Sequence, residues 1–171
     1  MSLPDYFKLS AGTEISWKQS GGTYAISLAS VANGGARQGA KGDLGSTWHP
    51  HYVVLFSSAV AAAATSGRQI ELYWAESPSA TAGTDNPGNT SGTDSAYSNP
   101  DQYKYQLVFL GSLVLANAAG TDRQTVMLHL FPRCRYGFPV VVNDSGQTLH
   151  ATADRHEIRL IPIQQAVVDN P

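Results

Sequence analysis

Between residues 68 and 76 the chain alternates: Ile70, Leu72 and Trp74 fall on one side, Glu71, Tyr73 and Ala75 on the other. A period of two is the signature of a β-strand with its large apolar side chains on one sheet face. Residues 23–31 repeat it, with Tyr24, Ile26 and Leu28 opposite Ala25, Ser27 and Ala29. Residues 124–131, stopped by Pro132, and 138–143 add two more alternating segments. Residues 51–59 carry the run Tyr52-Val-Val-Leu-Phe56, which reads as a strand buried on both sides. Residues 14–17 begin the series, and 157–162 close it with a proline that suggests an edge. Residues 103–115 are long for one strand, and Gly111-Ser112 predicts a bulge or bend.

Between these segments lie Gln19-Ser-Gly-Gly22, Asn33-Gly-Gly35, Gly39-Ala-Lys-Gly42 and Asn143-Asp-Ser-Gly146, combinations that favour turns and close backbone approach. No amphipathic helix and no internal repeat stands out, and the alanine run at 59–64 is too short to hold a helix by itself. The expectation is an all-β fold: an antiparallel two-sheet β-sandwich, jelly-roll-like, of about eight strands. The organisation expected is an N-terminal arm (1–13), one sandwich domain (14–163) and a C-terminal tail (164–171). Residues 77–102, almost entirely Ser, Thr, Gly, Ala, Asn, Asp and Pro, form one long inserted loop. A loop of that length inside a compact domain binds something, locks something down or moves. Because its composition offers no apolar core, removal of residues 81–95 is expected to leave the monomer folded.

With 171 residues and 42% hydrophobic side chains the chain can build one core. Charged residues make up only 14%, against about 25% in ordinary soluble domains, which suits a surface covered by other subunits. A net charge of -2 supplies no basic footprint for nucleic acid. No apolar run is long enough for a membrane-spanning helix, and the N-terminus lacks the basic-then-apolar order of a signal peptide, so neither is expected.

Local enzyme signatures are missing: no Gly-x-Ser-x-Gly, no phosphate-binding loop, no His-Glu-x-x-His, no Cys-x-x-Cys. His49-Pro-His51 would place two imidazoles on one side of an extended backbone as weak metal candidates, with Asp43, His129, His150 or His156 as a possible third ligand; a strand start fits them equally. Asp85, Asn86 and Asp94 offer oxygen ligands of the kind calcium takes, or turn chemistry. Cys134 lies between Arg133 and Arg135, which would favour its thiolate, or is a lone strand-end cysteine. Trp17, Trp48, Trp74, Tyr97, Tyr103 and Tyr105 form either a sugar-stacking set or core and interface aromatics. No cofactor is expected.

Three blocks carry a resemblance. The stretch Ile26-Ser-Leu-Ala-Ser-Val-Ala-Asn-Gly-Gly-Ala-Arg-Gln38 resembles a segment recurring in small structural proteins of tailed bacteriophages. Tyr73-Trp-Ala-Glu-Ser-Pro-Ser-Ala-Thr-Ala-Gly-Thr-Asp-Asn-Pro-Gly88 and Tyr136-Gly-Phe-Pro-Val-Val-Val-Asn-Asp-Ser-Gly146 are similar to two further blocks of such proteins, in the same order. The resemblance implies a virion component and supplies no catalytic residues. Asp43 and Trp48-His-Pro-His51 lie outside it.

The function expected is a non-enzymatic capsid decoration, or cement, protein. It would form a homotrimer over junctions of the phage major capsid protein, be made in the bacterial cytoplasm and reside on the capsid exterior. Pro4, Tyr6, Phe7 and Leu9 of the arm and Pro78, Asp85, Asn86, Pro87, Asp94 and Tyr97 of the loop are the expected subunit or capsid contacts, since an ordered polar loop needs partners to offset its entropy. The alternative is a tail or head-fibre adhesion module that binds host-surface glycans through exposed aromatics. A polysaccharide depolymerase ranks third, because no carboxylate pair suited to glycoside hydrolysis stands out.

Overall fold

A computed structural model describes residues 6–116 and 122–168, with 6–9 and 165–168 described as backbone only. Twelve strands form among the described residues, in two sheets. The first sheet runs β10 (Gln124–Leu130), β6 (Tyr52–Ser58), β12 (Glu157–Val168), β2 (Ile15–Lys18), β3 (Tyr24–Ala25), with β1 (Tyr6–Ala11) also on β12. The second runs β8 (Ser95–Ala96), β4 (Ala36–Gln38), β11 (Tyr136–Asp144), β7 (Gln69–Ser77), β9 (Val108–Val114), with β5 (Gly42–Asp43) also on β11. All pairings are antiparallel except β2 with β3. The expected all-β, two-sheet sandwich is the fold.

Between the sheets the alternating residues meet. Tyr52, Val54 and Phe56 of β6 and Ile158 and Leu160 of β12 face Ile70, Leu72 and Trp74 of β7 and Val141 of β11, all essentially without solvent contact. Trp17 packs edge-on against Trp74 at 5.5 Å between ring centroids, and its indole Nε1 donates to the Ala40 carbonyl at 2.8 Å. Gly42 is dictated by this indole: a Cβ there would lie 2.5 Å from the Trp17 ring and 2.8 Å from Tyr24. The glycine-rich connection of the sequence thus becomes the short strands β4 and β5 flanking β11. The bulge expected at Gly111-Ser112 falls beside Gly111, where the β7–β9 register shifts between Leu72 and Tyr73.

Three expectations change. Residues 23–31 are strand only over Tyr24–Ala25, because the backbone N–H of Ser27 is taken by the Asp94 carboxylate at 2.9 Å rather than by a neighbouring strand. Ile26 and Leu28 still enter the core from this irregular backbone. Residues 164–168, expected as a tail, continue β12, and the N-terminal arm pairs with them as β1, Tyr6 opposite Val168 through Ala11 opposite Ile163. Residues 100–106, at the end of the loop, form a short helix, Pro100–Tyr103, and a 3-10 turn, Lys104–Gln106, so the strand expected from 103 begins at Val108.

The largest difference concerns which strands are buried twice. β6 alternates, with Val53 and Leu55 only partly covered, although its apolar run predicted burial on both faces. β7, whose sequence alternates polar and apolar, is buried on both faces, as is β11. The cause is the long polar loop.

Candidate functional site

Residues 77–106 fold back over the outer face of the second sheet. Beneath them Tyr73 and Ala75 of β7, Phe138, Val140 and Val142 of β11 and Ala36 of β4 form a second apolar cluster, closed by Tyr97 and Leu107 of the loop with Tyr103 beside them. A stretch of Ser, Thr, Gly and Asn can do this because its polar groups bond to the sheet while a few large side chains reach through. Tyr97, 3% exposed, donates its phenol O–H to the Gly88 carbonyl at 2.7 Å. Burial drives that phenol's pKa up to about 12, with Tyr103 nearby adding to the effect.

The loop is tied down by its own chain. Asp94 accepts from the backbone N–H and hydroxyl of Ser27 and from Arg37 at 3.2 Å. Gln38 accepts from Ser91 N–H at 2.7 Å and donates to Ser95 and Ala96. The Lys41 ammonium lies among the Ser77 hydroxyl and the carbonyls of Ser79, Thr81 and Thr84, all 2.8–3.0 Å away. Desolvation lowers its pKa, partly opposed by Asp85. Asn86 donates its amide to the Ala82 and Thr90 carbonyls. Asp85 and Asn89 adopt left-handed backbone, φ 52° and 55°, which Asp and Asn tolerate better than most residues.

Of the expected contact residues, Asp94, Asn86 and Tyr97 bond within the chain, so much of the loop's ordering comes from its own chain. Pro78 and Asp85 are exposed and Pro87 half-buried. Pro4 lies outside the described residues, and Tyr6, Phe7 and Leu9 are placed only as backbone of β1.

The outer face of the first sheet differs. There Met127, Leu55 and Arg159 stand in register across β10, β6 and β12, and His129, Val53 and Ile161 form the next row. Met127 is 64% exposed and Phe131 65%, and no segment of the described chain covers them. His51 stacks on Phe131 at 4.6 Å between centroids, and its Nε2 is 2.9 Å from His129 Nδ1, a bond that needs one protonated and one bare nitrogen. At one end the apolar strip meets an ionic cluster. Lys18 and Arg123 each reach Glu157 at 2.8 Å, and Arg159 reaches Glu14 at 3.3 Å. Burial disfavours the Glu157 anion, but these hydrogen bonds outweigh it and hold its pKa below the usual range.

At the other end, β6 pairing stops at Tyr52 opposite Pro162, so β12 runs on from Ile163 to Val168 with β1 as partner. Six pairs give a ribbon of about 20 Å at roughly 3.3 Å per residue. A two-stranded ribbon is marginal in water by itself and gains from resting on another surface.

The metal candidates do not converge. The chain bends at Pro50 instead of running extended, so His49 faces Tyr52 in a groove shared with Asp43, while His51 joins His129 on the sheet. Asp43 is held bidentately by Arg135 at 2.6 and 2.7 Å, which with the Gly45 N–H lowers its pKa despite some desolvation. His156 is buried, bonded to Ser58 and the His150 carbonyl, and burial lowers its pKa. Among the described residues no three His, Cys, Asp or Glu side chains are grouped to hold a metal ion. Cys134 is half-buried beside Glu76, whose carboxylate is bound by Arg133 through both backbone N–H and Nε at 2.8 Å. Of the aromatic set, Trp17, Trp74 and Tyr97 are core, and Tyr105 is exposed.

Sequence reasoning missed the Lys41 anchor, the His51–His129 pair and the Glu71–Lys104 ion pair. One signal was present: a lysine inside the glycine-rich Gly39-Ala-Lys-Gly42 segment of a chain with few charges. Comparison with protein-family models returns no match, and comparison with curated proteins returns none.

Proposed function

We propose that this protein is a non-enzymatic structural subunit of a tailed-phage virion, of the capsid decoration type, which works by burying the outer face of its first sheet against other protein. One observation carries the reading: the chain lays a long loop over the β4, β11 and β7 part of one sheet's outer face, while among the described residues no segment covers Met127 and Phe131 on the other sheet. Large apolar side chains exposed together on one face, as Met127 and Phe131 are, mark interaction sites. Each 100 Å² of apolar surface buried there contributes about 2.5 kcal/mol at roughly 25 cal/mol/Å². Repetition over many equivalent sites on a shell turns modest contacts into firm attachment.

The ribbon of β1 and β12 extends this same sheet and is the second contact element, between copies in a trimer or with the major capsid protein. The loop's part is internal: it seals Tyr73, Phe138, Val140 and Val142 of the second sheet from solvent. The three sequence blocks similar to phage structural proteins support the same assignment. Measuring the solution mass of the purified protein together with its binding to empty shells of its phage tests the reading. A trimer that saturates the shells is expected. A monomer without affinity for shells, or a location in the tail by electron microscopy of the particle, would overturn it.

A further inference from the structure

On the opposite side of the sandwich, where the loop ends, lies a groove of about 330 Å³ lined by Glu71, Tyr73, Lys104, Tyr105, Leu107 and Phe109. Tyr105 is 78% exposed and Phe109 55%, and Leu107 is buried against the second core. Lys104 and Glu71 form an ion pair at 2.8 Å with both side chains 13% exposed, and the Tyr73 hydroxyl donates to the same Glu71 oxygen at 3.0 Å. Tyr73 is further fixed by Phe109, 5.1 Å away between centroids. The polar part of the groove is thus held by bonds within the chain, and its apolar wall carries Phe109 against Tyr73.

We propose that this groove binds a neutral hexopyranose, one ring of a surface polysaccharide. The shape and chemistry select that class. An aromatic ring offers a flat surface to the C–H face of a sugar. The ion pair is neutral as a whole, so it neither attracts nor repels a charged ligand strongly. It also retains capacity: of the three ammonium protons of Lys104 one serves Glu71, and Glu71 Oε1 accepts only a long bond from Gln69 at 3.3 Å. A donor and an acceptor side by side match the two hydroxyls on adjacent carbons of a pyranose. A purely apolar partner would leave both desolvated and unmatched, which costs free energy. The volume is at the low end of small-ligand sites, the scale of a single ring rather than of a long chain.

The site is independent of the assembly surface. If the first sheet meets the shell, as proposed above, the groove faces away from it and displays its aromatics outward. Saturation-transfer NMR on the full-length protein with the methyl glycosides of glucose, galactose, mannose and N-acetylglucosamine tests it. Transfer to at least one of the four is expected. Tyr105→Ala and Phe109→Ala are expected to weaken it about tenfold each, on the scale of one aromatic contact, with unchanged solution mass for both and unchanged melting for Tyr105→Ala. Absence of transfer to all four overturns the proposal. So does transfer that survives both substitutions, or a change in solution mass on Tyr105→Ala, which would make the aromatics a subunit contact instead. None of these outcomes depends on whether the protein binds shells.

Discussion

The two outer faces of this sandwich both carry apolar residues, but their central strands end in different states. On the second sheet Tyr73, Phe138, Val140 and Val142 lie under residues 77–106 of the same chain. On the first, Val53, Leu55 and Ile161 are only part-buried and Met127 is 64% exposed, with no such cover among the described residues. Burial is thus decided by what the chain lays over a strand as well as by the strand's own sequence. A polar loop seals a face when its backbone and side chains have fixed partners, here Asp94 with Ser27 and Arg37, Gln38 with Ser91 and the Lys41 ammonium with three carbonyls.

The sharpest way to break the comparison is to truncate one residue on each face. Phe138→Ala, beneath the loop, is expected to lower unfolding free energy by about 3–5 kcal/mol in urea denaturation, the range for a fully buried phenylalanine. Residues 81–95 can no longer be treated as dispensable. Without them Tyr97 loses its acceptor and Ser27 and Arg37 lose Asp94, so their deletion is expected to uncover the second cluster, read as dye binding or loss of the cooperative transition. A deletion protein that melts like the parent would show that the seal does not matter.

Smaller effects sharpen the picture. Tyr97→Phe leaves the Gly88 carbonyl without its donor and is expected to cost about 1–3 kcal/mol. For His156 the folded-state pKa is depressed by burial below its ordinary 6.5. The unfolded chain therefore binds the proton more readily, and stability is full above pH 6.5 and is lost as pH falls below it. The melting temperature should decline from that point, and His156→Gln should flatten the decline between pH 6.5 and 5; an unchanged slope would assign it to other groups. Met127→Ser, on the open face, is expected to change monomer stability by less than about 0.5 kcal/mol, since the side chain has little cover to lose. A loss comparable to that of Phe138→Ala would mean that the first sheet is covered after all.

Much of the sandwich was legible as period-two alternation, because Ile70, Leu72 and Trp74 or Ile158 and Leu160 meet one core wherever the rest of the chain goes. What alternation could not reveal was the fate of the other face. Tyr73 and Ala75 look solvent-facing in sequence, and Val53 and Leu55 look buried, since the covering segment is remote and almost without apolar residues. The short strands β4 and β5 were hidden among glycines, of which Gly39, just after β4, and Gly42 of β5 are set by contact with Trp17 and not by strand propensity. Of the candidate sites, the turn role of Asp85 followed from residue chemistry. The His51–His129 pair did not, because only the β6–β10 register brings His129 beside Val53 and within reach of His51.

For the proposed capsid-decoration role, the most direct test is co-sedimentation of the protein with empty shells of a tailed phage that encodes it, comparing the parent with Met127→Asp. A single carboxylate in the middle of the open face leaves the core untouched but must be desolvated by any partner that docks there. The account predicts a folded Met127→Asp protein with occupancy reduced at least tenfold, while Asp85→Lys at the exposed loop tip binds like the parent. Full occupancy by Met127→Asp, or loss confined to Asp85→Lys, would contradict it.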